Sequence, residues 1–456
     1  MSPERGGKTM KEIRAKIVAS VEKLFGRKQF KALKDLLCTM EPVDIADVLS
    51  GKPPAERVFL FRLLPKDLAI DVFEFLEGTE REELLSSFTD AEAAAVIEEM
   101  SDDDRTALFD ELPAKTVKKL LFHLSPEERK IANTLLNYPE DSAGHIMTTE
   151  FIDLDETLTA SGALDTIRET ASKKETIYTA FVVDEERRLK GTVRLEDIIL
   201  ASPDAPVRGL MDEHPVFTST ETDREEAAGT MSKYDLQAMP VLDREHRLVG
   251  ILTFDDILDV VQEEATEDFE RMAGISPVEE SYMDADVLTL TRKRFTWLLV
   301  CIVTQVFSSF ILENYAFALE SVVALAFFIP LLIDTGGNTG TQSATLVIRG
   351  LTTGELSGDD VKKVISKELV LGLLLGGTLG ALAALRALTM GTGYGVVLTV
   401  GISVVAVVSI GNIVGSLMPF AARKFGIDPA IMSGPFITTM VDIIGLLVYF
   451  EVARRL

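Results

Sequence analysis

The sequence predicts a multi-domain membrane protein, in which an α-helical, solenoid-like N domain precedes two α/β domains, a long connecting helix and a transmembrane domain of five helices. Three observations support this class. The 456 residues include 46 Lys and Arg and 72 Asp and Glu. Residues 292–456 contain only 12 of the basic and 10 of the acidic residues, so an acidic front part precedes a nearly neutral back part. Five apolar stretches occupy that back part. One strand-and-helix pattern occurs twice before it.

The predicted boundaries follow these changes in composition. They place the N domain at residues 1–140, the two α/β domains at 141–205 and 206–262, the connecting helix with its linker at 263–291, and the transmembrane domain at 292–456. An acidic front of this size makes multivalent cations its natural counterions.

Composition also excludes several classes of function. The sequence contains no basic patch large enough to neutralise phosphates, so nucleic acid is not an expected partner. The four histidines are scattered and no nucleophile stands beside a base, so we do not expect an enzyme. Cys38 and Cys301 lie in different zones, which predicts no disulfide and a reducing compartment for the front part.

Helical blocks recur through the N domain. They begin near Ala46, Asp71, Ala94 and Val117, roughly 23 to 25 residues apart, with Pro-bearing or Asp-rich turns between them. A fixed period of helix and turn is typical of a solenoid, whose units stack because none buries its apolar face alone. An irregular helical bundle is the alternative. The segment 101–104, Ser-Asp-Asp-Asp, is interpreted as a helix N-cap followed by solvated acids of the first turn.

The α/β part contains one pattern twice, at residues 179–197 and 238–256: an apolar strand, an acidic turn, a second strand and a helix that opens at Asp. The second copy carries Gly250, Thr253 and Asp256 in the spacing Gly-x-x-Thr-x-x-Asp, and the pair resembles tandem CBS domains. The resemblance implies a regulatory module that often binds adenine nucleotides.

The first copy departs from that motif, because Arg194 stands at the Thr position while Asp197 is kept. The resemblance implies an ATP site that uses Asp197 and Tyr178, which Arg194 weakens or alters.

A continuous acidic helix is predicted over residues 255–271, and Gly274 ends it. Acids at i, i+3, i+4 and i+7 share a helix face, where like charges repel. Two interpretations remain open, a cation site and a solvated acidic face. The acids are Asp256, Asp259, Glu263, Glu264, Glu267 and Asp268.

The five apolar stretches cover residues 296–314, 319–345, 368–390, 396–420 and 429–452, and each can cross a hydrocarbon core of about 30 Å. Lys and Arg before the first stretch, between the second and third, and between the fourth and fifth all fall on one side. This pattern predicts a multi-pass protein of the plasma membrane, the inner membrane of the cell, with a cytoplasmic front part and an external C-terminus. Two arginines at the C-terminal end run against the rule.

The last apolar stretch contains a carboxylate in its interior, Asp442. An acid inside a membrane span is costly, and by default it marks a functional site that faces water or a partner, so we expect Asp442 to contact a transported cation. The second stretch contains a Gly-rich, hydroxyl-rich run that includes Asn338. This run offers oxygens to a hydrated ion, and simple helix packing by small residues is the alternative.

These motifs together resemble the MgtE family of magnesium channels. The resemblance rests on Gly336 to Gly340, Asp428-Pro-Ala, Ser433-Gly-Pro and Thr438 to Asp442, all after CBS-like domains and an acidic helix. It covers nearly the whole chain in the family's domain order.

The resemblance implies a homodimer in the lipid bilayer, with a pore on the two-fold axis. Asp442 would hold a hydrated magnesium ion there, beside Asn338, Gly337 and Thr438. It also implies magnesium sensing by acids of the front part, except that Ala107 stands where another acid can occur. The implied sensor ligands are Asp103, Asp223, Glu225, Asp235, Asp256, Asp259, Glu264, Glu267 and Asp268.

We therefore expect a magnesium-selective channel that takes up Mg²⁺ and closes when Mg²⁺ binds the acidic cytosolic domains, with ATP as a further ligand of the CBS pair. An ion-coupled secondary transporter of divalent cations is the main alternative, although the chain lacks the two corresponding membrane halves of many such folds. A nucleotide-sensing receptor without transport is a third class, and it gives the polar residues of the membrane spans no role.

Overall fold

The computed structural model describes residues 17–76, 78–278, 282–283, 285–432 and 434–456. The chain forms two compact units, residues 1–261 and 262–456, and each is considered by itself.

The first part of unit 1 consists of short helices in succession. Proline begins several of them, because a proline in the first turn costs no intrahelical hydrogen bond. Thr89 begins another with a capping box that includes Glu92. The helices are α1 (17–26), α2 (Phe30–Leu37), α3 (Pro42–Ser50), α4 (Pro54–Phe61), α5 (Lys66–Glu74), α6 (Gly78–Ser87), α7 (Asp90–Ile97), α8 (Asp102–Glu111), α9 (Ala114–His123) and α10 (Pro126–Leu135).

One apolar core runs through these helices, from Val21 to Ala132. Each helix is only two to three turns long, too short to be stable alone, and gains its stability by burying leucines and phenylalanines against the next. The predicted alternation of short helices and turns is confirmed.

Two three-stranded sheets follow, with matching topology. In each, the first strand pairs in parallel with the second, and the second pairs antiparallel with the third. The elements are β1 (Ile152–Asp155), α11 (Ala160–Thr170), β2 (Thr179–Val183), β3 (Leu189–Arg194), α12 (Leu195–Leu200), β4 (Thr218–Ser219), α13 (Arg224–Tyr234), β5 (Ala238–Leu242) and β6 (Leu248–Thr253). The predicted tandem repeat is confirmed.

The acidic helix is α14, Phe254–Met272, one residue longer at each end than predicted. Gly274 follows it with φ of +74°, a backbone conformation that glycine adopts without strain. Residues 254–261 of this helix belong to unit 1 and residues 262–272 to unit 2.

Unit 2 contains five helices long and apolar enough to cross a membrane. The predicted stretches overlap these helices, although the second and fifth stretches begin at residues 319 and 429, before the helices that begin at Val323 and Gly434. Most of the helices also extend beyond the stretches because the backbone stays helical in the polar flanks. A short helix, α16 (Ala316–Ser321), precedes the second span. The long helices are α15 (Val287–Asn314), α17 (Ile329–Thr352), α18 (Val361–Thr389), α19 (Tyr394–Lys424) and α20 (Gly434–Arg455).

Glycines set the separation of α17 and α19. A Cβ on Gly411 would lie 2.6 Å from the carbonyl oxygen of Gly336, and one on Gly415 would lie 2.0 Å from that of Gly340. Backbone atoms cannot move aside as a flexible side chain can, so these positions admit only glycine at this separation.

Gly415→Ala is expected to destabilise unit 2, because overpacking costs about 1–3 kcal/mol and exceeds the helix propensity that alanine adds. Gly377→Ala is the matched control, since no atom lies within 4 Å of its added Cβ. Thermal unfolding of the detergent-solubilised protein measures both. A Gly415→Ala variant as stable as Gly377→Ala would contradict the close packing of α17 and α19.

Candidate functional site

Asp442 lies in the middle of α20, and its side chain is only 9% exposed. Its Oδ1 atom is buried and has no hydrogen-bond partner. A buried carboxylate oxygen without a donor is unfavourable unless a cation or water satisfies it. The geometry therefore fits a cation at this oxygen.

The other predicted pore residues lie on the facing helix or one turn away. Gly337 packs against Thr438, where an added Cβ would lie 2.9 Å from Cγ2 of the threonine, so this glycine allows α17 and α20 to approach. The hydroxyl of Thr438 donates to the carbonyl oxygen of Pro435 at 3.0 Å. Asn338 is exposed on α17.

A polar stripe runs down α17, at spacings of three and four residues that place its members on one helix face. The stripe consists of five residues that are exposed or half-buried in the chain: Asp334, Asn338, Thr341, Thr345 and Arg349. Charged and amide groups on a membrane helix avoid lipid, so this face needs water or a partner. The sequence pattern indicates Asn338 and not Asp334, because Asp334 lies at the edge of the glycine-rich run.

A second group of acids lies in unit 1. Asp103 at the start of α8 and Asp256 at the start of α14 have carboxyl groups within hydrogen-bonding reach of each other. Glu74, Asp104 and Glu175 add further negative charge around them. We call these five residues the acidic cluster. The sequence pattern predicts only Asp103 and Asp256 as ligands. Glu74 and Glu175 come from elements distant in the sequence, and Asp104, which follows Asp103 on α8, is interpreted there as a solvated acid of the first turn.

Burial and mutual repulsion perturb the acidic cluster. Burial, followed by the charges of Asp104 and other acids, raises the pKa of Glu74 to about 8. Burial and the neighbouring Asp256 raise the pKa of Asp103 well above its usual value, and Oδ1 of Asp103 is buried without a partner. Carboxylates held together in this way favour either protons or a multivalent cation.

The prediction that Ser101 caps α8 and that solvated acids follow it is wrong for the acids. Ser101 is at the N-cap position, but its hydroxyl donates to Asp104 at 2.8 Å and makes no capping bond to the backbone. Asp102 is 1% exposed, since Arg105 and Thr149 both donate to it. The helix packs these acids inward against the α/β part of unit 1.

The remaining predicted ligands of unit 1 are more dispersed. Asp259 interacts with Asp104, at the edge of the acidic cluster. Asp223 caps α13 by accepting from the backbone N–H of Glu225 at 2.9 Å, and both side chains are exposed. Asp235 ends the same helix in a left-handed conformation and is also exposed. These last three acids lie outside the cluster.

The end of α14 carries its own charged network within unit 2. Arg271 pairs with Glu267 on the same helix and with Asp428, which caps the short 3-10 turn between α19 and α20. Glu264 also interacts with Arg271. Burial and the charge of Asp428 raise the pKa of Asp268 to about 6. The predicted acids of the second half of this helix, Glu264, Glu267 and Asp268, therefore gather around one arginine.

Among residues 17–76, 78–278, 282–283, 285–432 and 434–456, no three His, Cys, Asp or Glu side chains of the single chain are arranged to hold one metal ion. Mg²⁺ keeps most of its waters in proteins and needs only one or two direct carboxylates. The carboxylate pairs described above fit that mode of binding better than a closed site.

The expected ATP residues lie near each other in sequence but differ in surroundings. Asp197 accepts from Nε of Arg194 at 3.1 Å, so the arginine at the Thr position occupies this carboxylate. Tyr178 is 64% exposed. In the second copy, Thr253 donates to Asp256 at the equivalent positions.

Comparisons with known proteins agree with this architecture. The family model described as "Divalent cation transporter" matches residues 329–452, that of the MgtE intracellular N domain matches 40–141, and that of the CBS domain matches 143–204 and 207–263. The magnesium transporter MgtE of Thermus thermophilus is 39% identical over 446 residues, 97% of this chain and 98% of its own length. That of Bacillus subtilis is 31% identical, over 93% of this chain and 94% of its own.

Two solved structures resemble the fold of this chain. The cytosolic domain of the Mg²⁺ channel MgtE, in complex with ATP, is 34% identical with a TM-score of 0.51, over 53% of this chain and 99% of its own. The soluble part of a magnesium transporter is 29% identical with a TM-score of 0.53, over 55% and 99%.

The fold, with its paired CBS domains before five apolar helices, is that of a membrane transport protein and not of an enzyme. The transported substrates of this class are divalent cations. The chain belongs to the MgtE family.

Proposed function

We propose that this protein is a magnesium channel, gated by Mg²⁺ on its cytosolic side, that mediates Mg²⁺ uptake. The observation that carries the proposal is Asp442, a buried carboxylate with an unpartnered oxygen in the middle of a membrane-spanning helix. Such a residue fits a hydrated cation that passes through. Mg²⁺ as the cargo agrees with the names of the related transporters.

The pore forms between two copies of the chain in this proposal. The polar stripe of α17 lies on an exposed face, and the single chain does not cover it. A homodimer with a two-fold axis along this face would place two copies of the stripe around water and remove its charges from lipid. Asp442 of each subunit would then contribute to one ion path.

The topology in this proposal follows the distribution of Lys and Arg. Unit 1 lies in the cytoplasm, α15 leaves it, and the C-terminus after α20 is external. Asp334 and Asp442 then lie inside the membrane, and the acidic cluster is accessible to the Mg²⁺ of the cytosol.

The acidic cluster acts as the sensor. Its carboxylates repel one another when they are ionised, and Mg²⁺ between them relieves that repulsion. An ion bound this way favours the conformation in which the carboxylates are close. High internal Mg²⁺ therefore stabilises the compact, closed state, and Asp223, Glu225, Asp235 and Asp259 are expected to supply further weak sites.

The acidic half of α14 links that sensor to the membrane part in the same scheme. Glu264, Glu267 and Asp268 gather with Asp428 around Arg271, which neutralises only part of their charge. Mg²⁺ that binds the remaining charge would hold α14 against the segment between α19 and α20.

The test of the channel is current recorded from reconstituted wild-type protein while internal Mg²⁺ is varied. We expect Mg²⁺ current at low internal Mg²⁺ and closure as internal Mg²⁺ rises. Flux that saturates at carrier rates and follows a pH gradient would instead support an ion-coupled transporter. No Mg²⁺ flux under either condition would contradict the proposal.

ATP is proposed as a second ligand, bound at the CBS pair; a related cytosolic domain was solved in complex with ATP. Arg194 engages Asp197 in this chain and competes for the carboxylate. Arg194→Thr is therefore expected to strengthen ATP binding, and Asp197→Ala to abolish it, as measured by equilibrium dialysis. ATP binding that neither change affects would place the nucleotide elsewhere.

A further inference from the structure

Asp334 stands one turn before Asn338 on the polar stripe of α17, and the two side chains are joined. Nδ2 of Asn338 donates to Oδ1 of Asp334 at 3.1 Å. Asp334 itself is exposed in the chain. Among the described residues, no Lys, Arg or His forms an ion pair with this aspartate. Within that part of the chain, the carboxylate of Asp334 therefore has a hydrogen bond from an amide but no opposite charge.

The packing of α17 on α20 determines the depth of Asp334. An added Cβ on Gly340 would touch Ile437, and one on Gly336 would touch Val441, so α17 and α20 run antiparallel. Gly337 packs against Thr438 between these contacts. Asp334 lies three residues before Gly337 on α17, and Asp442 lies four residues after Thr438 on α20. Because the helices are antiparallel, both steps run in the same direction. The two carboxylates therefore lie at one level.

Two further observations point to a ligand at this level. The Asp442 carboxylate interacts electrostatically with Asp334. The Oδ1 atom of Asp442 is buried and unpartnered, in a side chain that is only 9% exposed. Two acids that share one level inside a membrane unit, and that form no ion pair with a basic side chain in the described part of the chain, need a cation between or beside them.

We infer that Asp334 is a second ligand for the transported ion, so that the site at this level contains two carboxylates from each chain. The inference rests on the proposed function, in which two chains surround the ion. The dimer then presents four carboxylates to a hydrated divalent cation, and Asn338 of each chain holds the carboxylate of Asp334. Hydrogen bonds from the ion's water shell reach more acceptors, and the added negative charge makes binding tighter than the Asp442 pair alone would.

The test compares external Mg²⁺ concentrations that half-saturate the current through reconstituted full-length protein. Asp334→Asn is expected to raise this concentration at least about 10-fold while Mg²⁺ still passes, because each chain loses one carboxylate from the site. Asp334→Glu keeps the charge and is expected to stay close to wild type. Glu320→Gln is the control, since it removes an exposed acid of the α15–α17 connection that lies off the stripe.

Equal half-saturation in wild type and Asp334→Asn would overturn the inference and leave the proposed channel standing. Absence of Mg²⁺ current in the wild type would instead reject the proposed function itself. If Asp334→Asn does not yield folded protein, Asp334→Ser is measured in the same way, because a small polar residue fits an exposed position.

Discussion

Asp442→Asn is expected to abolish Mg²⁺ conduction, with current falling at least about 100-fold. The change keeps the size of the side chain and removes only the charge. The carboxylate is buried in the middle of α20, where the surrounding protein screens it less than bulk water would. Its loss therefore removes a large share of the attraction that draws a divalent ion out of water.

The control for this experiment is on the same helix. Glu451 lies near the C-terminal end of α20, where it pairs with Arg454 and Arg455, and Glu451→Gln is expected to conduct normally. Size-exclusion elution and thermal unfolding should show that Asp442→Asn remains folded. Wild-type current through folded Asp442→Asn protein would remove Asp442 from the ion path.

The double variant Asp103→Asn, Asp256→Asn is expected to keep current flowing at internal Mg²⁺ concentrations that close the wild type. Closure depends on the difference in Mg²⁺ affinity between the two states, and these two carboxyl groups, which contact each other, supply part of it. Each tenfold loss of that differential affinity removes about 1.4 kcal/mol from the closed state. We therefore expect the half-closing concentration to rise about 10-fold or more.

Recordings over a series of internal Mg²⁺ concentrations measure this shift. Asp204→Asn is the matched control, since it removes an exposed acid of unit 1 away from the acidic cluster. If the double variant closes at the wild-type concentration, the acidic cluster is not the sensor, and the acids near Arg271 become the first alternative.

Local patterns in the sequence were sufficient for the architecture. Alternating apolar residues and the turns around Asp184 and Asp243 predicted the paired strands, because a strand and its turn are specified within a few residues. The acidic helix was predicted within one residue at each end, since Gly274 supplies a stop signal. The membrane spans were evident because about 20 apolar residues are needed to cross a bilayer.

The sites were only partly predictable. Asp442 was conspicuous because a lone acid in an apolar helix is costly wherever the helix packs. Asp334 was not, since its importance comes from the register of α17 against α20. Glu74 and Glu175 reach the acidic cluster from elements separated by about a hundred residues of sequence. The burial of Asp102 depends on Thr149, whose position no local pattern specifies.

The contact between Asp102 and Thr149 limits how far the N domain can be exchanged as an independent module. Arg105 is fully buried and pairs with Asp102, and the same carboxylate also accepts from the backbone and hydroxyl of Thr149. Thr149 lies in the first CBS match, beyond the N-domain match that ends at residue 141. A chimera that transplants this N domain alone would leave its buried ion pair short of donors, at a cost of about 1–3 kcal/mol. Exchange between family members should therefore move the N domain and the first CBS domain together.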